Sequence, residues 1–134
     1  MVDRSLIVLV CVGATLLAGC RGPALTPGPV YPESAARYGV LDIQVRVESR
    51  RVSFTNTTPR VLPAGRLWIN GWYSAAVKPT PVGGGVEIPI TAFRDEHGEG
   101  VRGGGFFAAE EPEKIILAEL EAPDGLYGLV VVRE

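Results

Sequence analysis

With 134 residues, the chain has room for one folded domain rather than two. Thirteen Lys and Arg against fifteen Asp and Glu give a net charge of −2, and the one adjacent basic pair is Arg50-Arg51. A mildly acidic chain without a basic cluster lacks the electrostatic footprint of a nucleic-acid binder, which excludes nucleic acid as a partner.

Residues 1–19 open with Asp3 and Arg4 and continue as an apolar run of about 12 residues, against about 20 needed for a helix to span a bilayer. The run therefore has the length of a signal-peptide core rather than of a transmembrane helix. It closes on Leu17-Ala18-Gly19-Cys20, which resembles the lipobox of bacterial lipoproteins. That resemblance implies a diacylglyceryl group on the Cys20 thiol, cleavage just before it, and acylation of the new amine. Small residues at 18 and 19 suit a narrow protease site, and a thiol is the nucleophile that takes the lipid. An ordinary secretory signal with a chance cysteine is the alternative. Cys11 lies in the segment to be removed, so Cys20 is left as the one thiol and no disulfide can form within the domain. Removal discards one acid and one base, Asp3 and Arg4, and leaves the net charge unchanged. The expected location is the bacterial cell envelope, lipid-anchored to a membrane and facing outside the cytoplasm.

Residues 20–39 carry four prolines and no sustained apolar period, and read as the lipidated cysteine followed by a Pro-rich tether. Extended at about 3.1 Å per residue, such a tether reaches about 50 Å from the lipid, with Val30 and Tyr31 available to dock on the domain.

The domain proper is expected over 40–134. Residues 41–48 alternate apolar and polar, which predicts a strand with Leu41, Ile43, Val45 and Val47 facing the core. Residues 51–56 alternate again after a gap short enough for a hairpin, and Thr57-Thr58-Pro59 ends them because proline cannot donate to a ladder. Leu67-Trp68-Ile69 and Trp72-Tyr73-Ser74 flank Asn70-Gly71, a strong hairpin signal. A two-residue loop there pairs Ile69 with Trp72 on one face and Trp68 with Tyr73 on the other. Alternation in Arg66, Leu67 and Ile69 turns Leu67, Ile69 and Trp72 inward and Trp68 and Tyr73 outward.

Residues 86–90 alternate once more, and Pro89 marks an edge strand or a position whose N–H would face outward. A charged, glycine-rich loop covers 94–105, after which Phe106-Phe107-Ala108 has the composition to start a strand. Residues 114–121 fit either a strand or a helix with Pro112 in its first turn. The strand is favoured, because Asp124-Gly125 follows as a turn and 126–132 reads plainly as a strand. The expected core is Ile43, Val45, Phe54, Ile69 or Trp72, Ile88 and Val130.

Six or seven short strands predict an all-β fold, an antiparallel Ig-like β-sandwich of about seven strands after a signal peptide and Pro-rich linker. The Phe54-Thr55-Asn56-Thr57-Thr58-Pro59 strand end, the 67–73 hairpin and the Asp124-Gly125 turn resemble small Ig-like domains of bacterial lipoproteins. The resemblance is one of pattern and implies no activity.

Candidate chemistry is sparse. Gly98, Gly100 and Gly103 match a dinucleotide fingerprint by letter, but a charged loop precedes them and no helix can follow, so no cofactor is expected. His97 is the single histidine and lies in an acidic turn. No second histidine and no calcium-loop spacing accompany it, so no metal is expected. Glu110-Glu111 and Glu119/Glu121 are carboxylate pairs of the kind that hydrolyse sugars, though acidic residues at this density ordinarily serve solubility. Asn56-Thr57-Thr58 fits a glycosylation triplet and is better read as a strand-end turn.

The best site candidate is Trp68 with Tyr73, a flat pair for a sugar ring or a partner protein if it is exposed, and plain packing if the linker or a loop covers it. The expected function is a non-enzymatic envelope lipoprotein whose partners are the membrane, through the lipid on Cys20, and an envelope protein. A carbohydrate-binding module using Trp68 and Tyr73 is the alternative, with a glycan as partner, and a hydrolase is a weaker third.

Overall fold

The computed structural model describes residues 22–103 and 109–133, so the expectations at Leu17 to Cys20 and at 106–108 lie outside the described residues. Seven strands follow in order: β1 (Arg37–Val47), β2 (Arg51–Thr55), β3 (Gly65–Ile69), β4 (Tyr73–Val77), β5 (Gly85–Pro89), β6 (Ala118–Ala122) and β7 (Gly125–Arg133). A single 3₁₀ turn, Ile90–Ala92, is the one helical element among the described residues. The strands form one sheet in the order β4-β3-β6-β7-β1-β2-β5.

Their inward side chains meet in one cluster, from Ile43 and Val45 on β1 through Leu67 and Ile69 on β3 to Ile88 on β5. A flat sheet cannot bring strands from its two edges into one core, so this sheet curls almost into a barrel. The all-β class is as the alternating sequence predicts. The strand directions depart from an antiparallel sandwich in one place, because β1 and β7 run parallel, with Gln44 opposite Val130 and Val47 opposite Arg133. Alternation reports which face a side chain takes and is silent on the direction of the neighbouring strand, so a parallel pair of sequence-distant strands leaves no local trace.

β1 begins at Arg37, three residues inside the segment read as tether, and is kept in register with β7 by irregularities between Arg37 and Gln44. β5 is an edge strand, as Pro89 demands. The hydrogen bonds from Asn56 N–H to Gly84 O (2.9 Å) and from Ile90 N–H to Arg50 O (2.9 Å) put the even-numbered residues of this stretch toward β2. Pro89 therefore sits where a missing N–H costs nothing. Residues 114–117 form no helix, and β6 occupies 118–122. The turn before β7 is Pro123-Asp124, one residue earlier than Asp124-Gly125, since Ala122 pairs with Gly125.

The β3–β4 hairpin corrects the sequence reading most. Asn70 and Gly71 both take positive φ, +54° and +70°, as a type I′ turn requires. Trp72, however, joins the loop, and the first pair is Ile69 with Tyr73, followed by Trp68 with Ser74. One residue of slip turns every later side chain to the other face. Tyr73 accordingly packs against the core beside Ile69, Trp72 is 61% exposed, and Trp68 is 1% exposed on the outer face.

Val130 is a second correction: it faces outward at 41% exposure, while Leu129 is buried and Val131 packs against the core. The run 129–132 is apolar throughout, so its sequence held no phase information.

One buried polar side chain organises the loops at the far end from this hairpin tip. Asn56 is fully buried, and its amide donates to Arg60 O (2.8 Å), Thr80 O (3.1 Å) and Pro81 O (3.2 Å). Its Oδ1 accepts from the Thr58 N–H (3.0 Å) and from the Thr58 hydroxyl (2.7 Å). The Asn56-Thr57-Thr58 triplet is thus a strand-end turn whose asparagine ties two loops together.

Asn56→Ala should lower stability by about 3 kcal/mol, because it strands several buried partners at once. Ile43→Ala should cost about 2–4 kcal/mol as a core truncation, and Val130→Ala under about 0.5 kcal/mol as a surface one. Urea titration of the three variants checks the ranking.

Candidate functional site

β6 carries Glu119 and Glu121 on its outer face, two residues apart, and pairs with β3 so that Glu119 lies opposite Trp68 and Glu121 opposite Arg66. The indole of Trp68 stands between the two acids and donates its N–H to Glu121 Oε2 at 2.6 Å. Over this patch runs the segment that precedes β1. The Tyr31 hydroxyl donates to Glu119 Oε2 (2.5 Å), and Arg37 donates to Glu119 Oε1 (2.6 Å) and to the Tyr31 oxygen (2.9 Å). The Tyr31 ring meets Trp68 edge-on at 5.2 Å, and the Arg37 guanidinium lies 5.8 Å from the centre of the Tyr31 ring.

These contacts form a clasp. A buried carboxylate requires a cation and hydrogen bonds to be tolerated, and Glu119 finds both in the N-terminal segment. Burial, and then the bond to Glu119, push the Tyr31 phenol up, with Arg37 acting against them. Of the carboxylate pair that sequence alone offered as acid–base machinery, Glu119 holds the N-terminal segment and Glu121 the Trp68 indole.

Trp68 and Tyr73 do not form the outward pair expected. They point to opposite faces of the sheet, Trp68 under Tyr31 and Tyr73 toward the core, where its hydroxyl donates to Glu113 Oε2 at 2.8 Å. The physical reason is the extra loop residue, Trp72. What covers Trp68 is the Pro-rich segment, the packing alternative weighed above. Of the two tether residues singled out, Tyr31 docks and Val30 stays exposed.

The acidic turn around His97 is self-contained. Asp95 Oδ1 accepts from the amides of His97 (2.9 Å) and Glu99 (2.7 Å), and the Asp95 N–H donates to Glu99 O (2.9 Å). Its carboxylate is therefore spent on backbone amides, the arrangement of an Asx turn. Among the described residues, no group of three His, Cys, Asp or Glu side chains converges as a metal site would require. Glu110 is drawn to Arg102, and Gly98, Gly100 and Gly103 lie in this loop region.

Besides a depression of about 490 Å³ between residues 23–29 and Arg66, Ser74, Ala76, Ala92 and Arg94, there are two further surface depressions. One is polar, on the outer faces of β1, β2 and β5, around Gln44, Arg46, Ser53 and Glu87. The other is an apolar groove of about 610 Å³ at the end opposite the hairpin tip, lined by Leu41, Leu62, Pro63, Leu120, Pro123 and Tyr127. Beside it the Tyr38 and Tyr127 rings stack at 5.2 Å, and Val61 is exposed. Alternation could not reveal this groove, because it is assembled from two loops, 58–63 and 123–124, and residues of three strands, β1, β6 and β7. Among the described residues, no helix is long and apolar enough to cross a membrane. Scans of protein-family models, of curated proteins and of solved structures find nothing that matches this chain.

Arg37→Gln should lower the urea midpoint by leaving Glu119 without its cation, and Arg37→Lys should restore part of the loss. A second prediction concerns alkaline pH. Burial, and then the hydrogen bond to Glu113, push the Tyr73 phenol from 10.0 up to about 12. A value raised on folding means that the protonated phenol stabilises the fold fully below pH about 10, and that this contribution is lost as pH rises through about 12. Tyr73→Phe should flatten that part of the stability profile, as followed by denaturant titration between pH 9 and pH 12.

Proposed function

We propose that the chain is a lipid-anchored protein of the bacterial envelope whose β domain serves protein contact or assembly rather than catalysis. The observation that carries the anchor is Leu17-Ala18-Gly19-Cys20 at the close of an apolar run too short to span a bilayer. The non-enzymatic reading is supported by the engagement of Glu119 and Glu121 with Arg37, Tyr31 and Trp68. Strand addition is the less suitable mode of contact, since the β5 edge carries Pro89 and the β4 edge is bridged at Ser74 by Arg94. The groove at Leu62 and Tyr127, with Val61 at its rim, is the better suited surface for an apolar segment of an envelope protein. It lies at the end of the domain away from the N-terminal segment's first residues.

In this reading the curled sheet is an Ig-like sandwich whose two layers, β4-β3-β6-β7 and β2-β5, are joined through β1. The strand order supports it, with β1 parallel to β7 and antiparallel to β2.

Cys20→Ser tests the anchor. The variant should move from the detergent phase to the aqueous phase and keep residues 1–19. A variant that still partitions like the unaltered protein means the lipobox reading is wrong.

A further inference from the structure

Large apolar side chains stand in water at the hairpin-tip end of the domain. Trp72 is 61% exposed, Ile116 69% and Leu117 42%. Asn70 ties the hairpin tip to the segment that carries Ile116 and Leu117. Its amide donates to Lys114 O (2.9 Å), its Oδ1 accepts from the Ile116 N–H (2.9 Å), and its own N–H donates to Leu117 O (3.0 Å). Hairpin tip and 114–117 segment are therefore joined at this end, with Trp72, Ile116 and Leu117 all exposed on them.

The N-terminal segment passes close to this end, along β4 beside Ser74 and Ala76. Arg94 bridges Ser74 at the start of β4, and from there the chain runs toward the tip into the turn at 95–99. The Gly28 N–H donates to Asp95 O at 2.8 Å. Gly98, at φ +85°, lies so close that a Cβ on it would stand 2.7 Å from Thr26 O and 3.0 Å from Leu25 Cβ. Leu25 is 60% exposed beside this turn. From Thr26, six residues lead back to Cys20, at most about 20 Å of extended chain.

We infer that the hairpin-tip end is a membrane-docking face, with a lipid surface as the occupant of the Trp72, Ile116 and Leu117 rim. The inference rests on the lipidation reading: a lipid on Cys20 would set the bilayer within that short reach of Thr26, which lies beside the 95–99 turn. An indole at a loop tip suits the headgroup level, where one edge is wet and the rest apolar. The domain is thereby held against the membrane with the Leu62–Tyr127 groove turned away from it, not at the end of a 50 Å leash.

The test uses the full-length lipidated protein reconstituted into phosphatidylcholine vesicles, with plain or with brominated acyl chains. Flotation with the vesicles reads the anchor, and tryptophan emission reads docking. Trp68, buried under Tyr31, serves as the internal reference, and Trp72→Phe identifies the Trp72 component. The expected result is a blue-shifted Trp72 emission on vesicles that brominated lipid quenches, with the quenching lost in Trp72→Phe. Protein that floats while Trp72 emits equally in plain and brominated vesicles is anchored and not docked, and the inference is overturned. Protein that does not float overturns the anchor, and this inference with it.

Discussion

Glu119 is the constraint on which the outer half of the molecule depends. It is a carboxylate on a central strand, nearly closed off from water, and such a group must be matched with charge and hydrogen bonds. Both come from one stretch of chain, Tyr31 and Arg37, which commits the residues between them to lie across β6 and β3. With the stretch in place Trp68 gains a cover, and β3 is buried on both faces although it belongs to a single curled sheet. The N-terminal segment is therefore part of the fold from Leu25 onward in its contacts, with Gly28 hydrogen-bonded to Asp95 and Tyr31 to Glu119.

That placement gives the domain two unlike ends. One gathers the hairpin tip, the 95–99 turn with Leu25 and Thr26 beside it, and the 114–117 segment. The other gathers the loops tied by Asn56 and the apolar groove at Leu62 and Tyr127. A strap across the outer face thus carries the chain from Arg37 back past Glu119 and Trp68 to the turn at Asp95.

Strand existence was legible wherever one face is buried and the other wet, as along Ile43, Gln44, Val45 and Arg46. Pro89 announced an edge by lacking a donor, and Asn70-Gly71 announced a turn by tolerating positive φ. Legibility failed where local pattern carries no phase. At 129–132 every residue is apolar, and after Gly71 a single added loop residue decided the face of Trp68 and Tyr73. It failed also for partners distant in sequence. Nothing near Glu119 shows that Tyr31, 88 residues away, will bind it, nor does anything in β1 show that β7 will lie parallel to it. The candidate site was legible as a set of residues, the aromatic pair and the acid pair, and illegible as an arrangement.

Hydrogen exchange followed by NMR on the full chain tests the clasp most directly, at the Gly28 amide and the Trp68 indole N–H. If the N-terminal segment is folded onto Glu119 and over Trp68, both protons exchange slowly, alongside the amides of β3 and β6. Exchange of both at the rates of an unprotected peptide, while the β3 and β6 amides stay protected, would show a free tether and contradict the account.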